Sequence, residues 1–166
     1  MGKVNATFGP GWPGSVSRSI DDIIVALPSR ESEREIAFGA PVWLTGDGTG
    51  VRGWTSGDTA EHFAGFAVRS PSKTPDRYPR GAGTDEGSRA AWLPGEPVDV
   101  LVRGCIVVDA AGSARQGAQA YLDASGRVTA SAGSNPGNLA LPGCRFRRDS
   151  GAGGRAELLI TSRNNV

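Results

Sequence analysis

Glycine and proline together fill more than one position in five, with 25 glycines and 11 prolines in 166 residues. An average protein carries about 12% of the two. Glycine loses backbone entropy in a helix interior, and proline lacks the N–H and clashes with the preceding turn, so this density excludes a helix bundle. Short strands joined by many turns tolerate both residues. The strand signals fit that frame. Ile36 to Phe38, Val42 to Leu44, Val51 to Trp54 and Phe63 to Arg69 are short β-rich runs punctuated by glycines. Gly46 to Gly50 reads as a tight hairpin connection. Gly65, inside an aromatic run, marks a bulge or a close backbone approach.

Val98 to Val108 carries the strongest β signal. Val98, Val100 and Val102 alternate with Asp99, Leu101 and Arg103; Gly104 then kinks the run, and Cys105 to Val108 is apolar throughout. This pattern predicts a central strand, or a bent strand that turns a barrel corner. Ala120 to Thr129 reads as strand, turn at Ser125 and Gly126, and strand. Cys144 to Phe146 and Ala156 to Thr161 supply a last strand pair. Ser19 to Leu27, stopped by Pro28, fits a short helix or a strand, and periodicity does not separate them over so short a run. The predicted fold is all-β: one small barrel-like or β-tulip domain over residues 20–166.

Two segments break the pattern. Residues 1–19 are rich in Gly, Pro and Ser around Phe8 and Trp12, and read as an extended N-terminal arm, either a disordered tail or an arm ordered by a partner. Residues 70–97 form a Pro/Gly-rich loop of 28 residues with five prolines, four glycines, Tyr78 and Trp92. A loop this long is usually functional or disordered, and its large aromatics favour a partner-contacting excursion.

Charge and chemistry narrow the functions. Eighteen basic and seventeen acidic side chains leave a net charge of +1, and the densest basic run is only Arg145, Arg147 and Arg148. No electrostatic footprint for direct nucleic-acid binding results. No apolar stretch approaches the ~18 residues of a membrane span, and no signal peptide is visible at the N-terminus. Cys105 and Cys144 have no C-x-x-C spacing, so a cysteine zinc site is not expected, and buried free thiols are favoured over a disulfide. His62 is the only histidine and reads as a surface residue. Asp99, Asp123 and Glu157 read as strand-edge acids facing solvent rather than a carboxylate pair. No catalytic residue, metal site or cofactor is expected. A carbohydrate-binding or other virion or cell-surface β module stays open as an alternative, with Trp43, Trp54 and Trp92 as sugar-stacking candidates.

An ordered set of short pieces resembles a known family. These are Val16-Ser-Arg-Ser-Ile20, Ile36-Ala-Phe-Gly-Ala-Pro-Val42, Phe63-Ala-Gly-Phe-Ala-Val-Arg69, and Tyr78 in the long loop. Pro94-Gly-Glu-Pro-Val-Asp-Val-Leu-Val-Arg-Gly104, Ala120-Tyr-Leu-Asp123, Leu141-Pro-Gly-Cys-Arg-Phe146 and Ala156-Glu-Leu-Leu-Ile160 follow. The set resembles the head-decoration or structural cement proteins of tailed bacteriophages. The resemblance implies a β-rich domain without catalysis or cofactor. It implies manufacture in the host bacterial cytoplasm and assembly, commonly as trimers, on the outer surface of the expanded head, against the major capsid protein. There it stabilises the shell against internal DNA pressure. Phe8, Trp12, Tyr78 and Trp92 are the candidate capsid or subunit anchors, since buried aromatics dominate interface energetics.

Overall fold

The structure is a computed structural model and describes residues 11–71, 91–134, 137–151 and 154–161. Its strands are β1 (Val16–Pro28), β2 (Ile36–Ala37), β3 (Pro41–Leu44), β4 (Val51–Gly53), β5 (Phe63–Ala67), β6 (Ala91–Trp92), β7 (Pro97–Ala111), β8 (Gln119–Leu122), β9 (Val128–Thr129), β10 (Leu139–Phe146) and β11 (Gly154–Ile160). One 3-10 turn, Ala60–His62, precedes β5. The all-β expectation holds.

Strand β7, fifteen residues long, belongs to two rings. Its C-terminal half pairs antiparallel with β11, β11 with β10, β10 with β8, β8 with β9, and β9 returns parallel to β7 at Ala110 and Val128. Those five strands close a barrel. Its N-terminal half pairs with β1 on one side and β5 on the other, and β5 continues through β3 to β4. A bridge from Ser29 to Val51 brings β4 back to the end of β1.

Each ring encloses its own core. Val98, Val100 and Val102 of β7 join Val42, Val51, Ala64, Ala67, Ile36, Phe38 and Trp92 in one. Ile106, Val108 and Ala110 join Leu122, Leu141, Phe146, Leu158 and Ile160 in the other, together with Leu101, Trp43, Phe63 and Phe66. Leu101, which alternates with the valines, packs in the second core while they pack in the first. Even-numbered residues of β7 thus face one core before Gly104 and the other core after it. A strand's side chains alternate with period two, so the alternation is broken at Gly104. Gly104 is the residue that permits it: its φ is +126°, and a Cβ there would lie 2.0 Å from Asp22 Oδ1. Opposite it, β1 slips in register between Arg18 and Ile23.

The Ser19 to Leu27 ambiguity resolves as strand. Ile23, Val25 and Leu27 pack on the core, whereas Ile24 is 45% exposed, the alternation of a strand with one buried face. Of the expected arm, residues 1–10 lie outside the described residues. Residues 11–15 lie on the body: the Gly14 N–H donates to Val107 O (2.8 Å), Arg69 N–H to Gly14 O (2.8 Å), and Val107 N–H to Ser15 O (3.0 Å). That cover explains why Val107 is sealed although it belongs to neither core. Of the expected 70–97 loop, residues 72–90 lie outside the described residues, while at its end β6 pairs with β2 (Ile36 to Trp92) and the Glu96 carboxylate accepts from the Leu93 N–H across the turn into β7.

The remaining turns follow their chemistry. In the β3–β4 hairpin the Asp47 carboxylate accepts from the Thr45 hydroxyl (2.6 Å) and from the Thr49 hydroxyl (2.7 Å) and N–H. These bonds, the Thr45 hydroxyl first, hold its carboxyl well below the usual range. In the β8–β9 turn Asp123 accepts from Ser125 and the Arg127 N–H, and Gly126 takes a φ of +80°.

Both cysteines are buried, and neither forms a disulfide. Cys105 on β7 and Cys144 on β10 are separated by β11, whose Leu159 and Ile160 are their respective register partners. Burial pushes the Cys144 thiol up to about 12, and thiolate is the reactive form. Thiol titration of the native protein is expected to give no rapid labelling, and two equivalents once urea unfolds it. Labelling of either cysteine within minutes under native conditions would contradict this placement.

Candidate interaction surface

Of the four aromatic anchors expected from sequence, Phe8 and Tyr78 lie outside the described residues. The other two part company. Trp92 is 5% exposed, packs edge-on to Phe38 at 6.0 Å, and its indole N–H donates to Val68 O at 2.9 Å. It packs within its own domain, because the β6–β2 pair folds it inward. Its neighbour Leu93 is 47% exposed.

Trp12 is 42% exposed. The Arg155 guanidinium carbon sits 4.0 Å from its ring centroid, and that of Arg69 sits 5.9 Å away. Arg69 also lies 5.4 Å from the Phe38 ring. The backbone beneath is fixed: the Ser15 N–H donates to Trp12 O, and a Cβ on Gly14 would meet Gly39 N and Arg69 N at 2.9 Å. Gly14 has a φ of +79°, so glycine alone suits both the angle and the gap. The sequence flagged Trp12 but gave no sign of Arg155, which arrives from β11 at the far end of the chain.

A second surface surrounds Trp54, which is partly buried against the core and packed on Gly126. One groove, about 580 Å³, runs between Trp54, Ile36, Glu31, Arg34 and Ser125, and another, about 410 Å³, between Trp54, Asp58, Leu139 and Asn138. Arg52 fastens the loop that carries Trp54: its Nη1 donates to Asp58 Oδ2 at 2.8 Å and its Nη2 to Oδ1, while the Thr55 N–H donates to Oδ2 at 2.7 Å. Burial pushes the Asp58 carboxyl up, but the bonds from Arg52 and Thr55 outweigh it and hold the group below its ordinary value of 3.8. A folded pKa below the unfolded one contributes stability above the unfolded value, and loses it as pH falls through the folded value. Melting temperature is expected to decline below pH 4 in the wild type and to decline less steeply in Asp58→Asn. Parallel profiles would contradict the assignment.

The sugar-stacking alternative loses two of its three tryptophans. Trp43 is fully buried, with its indole N–H donating to Thr59 O at 2.8 Å, and Trp92 is sealed as above. The carboxylates expected to face solvent also include an exception. Glu157 is 1% exposed, accepting from the Ser17 hydroxyl at 2.7 Å and from Arg148 Nε at 2.8 Å. Asp123 is occupied by its own turn. His62 sits exposed on the 3-10 turn. Among the described residues no cluster of three metal-ligating side chains occurs, and no helix is long and apolar enough to cross a membrane.

The described residues form a double-ringed β body with Trp12, Arg69 and Arg155 gathered on one surface. The particular class follows from comparison. The model for the family described as "Structural cement protein (E217 gp24/Pam3 gp6)" matches residues 2–161, so this chain belongs to that family. Among solved structures, a chain from "The capsid of Myoviridae Phage XM1" superposes with a TM-score of 0.66 at 16% identity, over 97% of this chain and 96% of that one. The latter likeness is one of fold. No curated protein sequence matches. Membership in the family makes this a structural capsid protein of the phage virion.

Proposed function

We propose that this protein binds the outer surface of the expanded phage head, contacts the major capsid protein, and stabilises the shell against the pressure of packaged DNA. The observation that carries the reading is the family match across 2–161. A shell offers many copies of one surface, so individually weak contacts gain avidity when several are linked. A trimer, matched to a local three-fold axis of the shell, is the assembly we favour. A ligand that binds only the expanded shell stabilises it by mass action, by about 2.7 kcal/mol per site at 100 times its Kd. Trp12 is the described side chain we favour as an anchor, and Phe8 and Tyr78 are proposed as further anchors. Trp92 acts from inside, holding the turn that exposes Leu93.

DNA-filled heads stripped of this protein and heated are expected to release DNA at a lower temperature than heads to which it has been restored. Equal release temperatures would remove the stabilising role.

A further inference from the structure

Arg155, on the Trp12 surface, keeps most of its side-chain hydrogen-bonding capacity among the described residues. The only described hydrogen bond of its side chain is a long one, from Nη1 to Gly11 O at 3.4 Å. Asp109 stands directly opposite it in the β7–β11 register, yet no carboxylate lies within ion-pair distance of Arg155 among the described residues. The guanidinium carbon instead lies over the Trp12 ring, 4.0 Å from its centroid. A guanidinium held over a ring keeps N–H donors directed away from it, and a forked pair of them takes a carboxylate through two parallel hydrogen bonds. The indole shields one side of that fork from water, which strengthens a charged bond formed there.

The surface is also built in advance. The hydrogen bonds of Gly14 and Ser15, and the tight Gly14–Gly39 approach, fix the backbone that presents Trp12. A partner arriving there orders little more, so less binding energy is lost to entropy. Tryptophan and arginine are the residue types most enriched among interface positions that dominate affinity. A phosphate backbone is a poor fit, because it repeats its charge every few ångströms and calls for a basic stripe, whereas the chain's net charge is +1. A single protein carboxylate fits.

We propose that Trp12 and Arg155, supported by Arg69, form a docking platform that seats an aspartate or glutamate side chain of the shell's major protein. This rests on the capsid-binding reading above and adds the chemistry of the contact. The test is co-sedimentation of the full-length protein with expanded heads of its own phage, stripped of this protein, at low and at high NaCl. Wild type, Arg155→Glu, Arg155→Lys and Trp12→Ala are compared, each with a melting curve. Arg155→Glu is expected to weaken binding about 30-fold, and Trp12→Ala and Arg155→Lys about 10-fold. Lysine keeps the charge but loses the fork, so a loss in that variant with an unchanged melting curve reports on the contact rather than on folding. The salt dependence is expected to flatten in Arg155→Glu. Wild-type binding with all three variants equal to it would overturn the platform and leave the capsid-binding reading standing. Absence of wild-type binding would overturn both.

Discussion

Alanine in place of Gly65 is expected to cost about 4 kcal/mol of folding stability, from roughly 1–3 kcal/mol of backbone strain and a similar cost of overpacking. Gly65 has a φ of +151°, and a Cβ there would lie 2.2 Å from Leu101 O and 3.0 Å from Val100 Cγ1. Neither neighbour can retreat. Leu101 and Val100 are fully buried on β7, the strand both rings share, and pair with Phe66 and Ala67 of β5. The close approach also coincides with the register slip between β5 and β3 at Val42 and Trp43. Gly95→Ala is the matched control, since Gly95 has a φ of +79° but nothing within 4 Å of the added carbon. It is expected to cost about 1 kcal/mol, the price of the backbone angle alone. Urea denaturation of the two variants measures the difference, and equal costs would contradict the close approach.

Trp43→Ala is expected to lose about 3–5 kcal/mol, the usual range for removing a large buried aromatic. Trp43 packs edge-on to Phe63 at 5.3 Å, and Phe63 in turn to Phe66 at 5.5 Å, so the row of rings links β3 and β5 to the barrel core. Its indole N–H also satisfies Thr59 O next to the 3-10 turn. Trp43→Phe keeps the packing and loses that bond, with an expected cost nearer 1–2 kcal/mol. Denaturant midpoints separate the two variants. A Trp43→Ala protein as stable as wild type would place this ring outside the core and reopen it as a ligand contact.

What could be read before the fold was known is local in origin. Gly65, Gly104 and Gly126 announced a close approach, a kink and a turn, because each interrupts a run whose period is otherwise clear. The hairpin at Gly46 to Gly50 was legible for the same reason. The double ring was not, since it depends on a parallel pairing of Ala110 with Val128 and on β11 returning to β7. Nothing in a strand's own sequence names its partner. The fates of the tryptophans were equally hidden. Trp12 and Trp92 both sit in Gly/Pro-rich segments, yet a two-residue pairing with Ile36 turns one inward, while Gly14 packing on Gly39 holds the other at the surface. Glu157 looked like a solvent-facing acid because its partner Ser17 lies 140 positions away. Arg155 was missed on the same grounds.

The most direct test of the central claim is to mix the purified protein with expanded and with unexpanded shells of its phage and measure bound copies by sedimentation and electron cryo-microscopy. The account predicts saturable attachment to the outside of expanded shells and little to unexpanded ones. Protein that stays in the supernatant with both, or density only inside the shell, would contradict it.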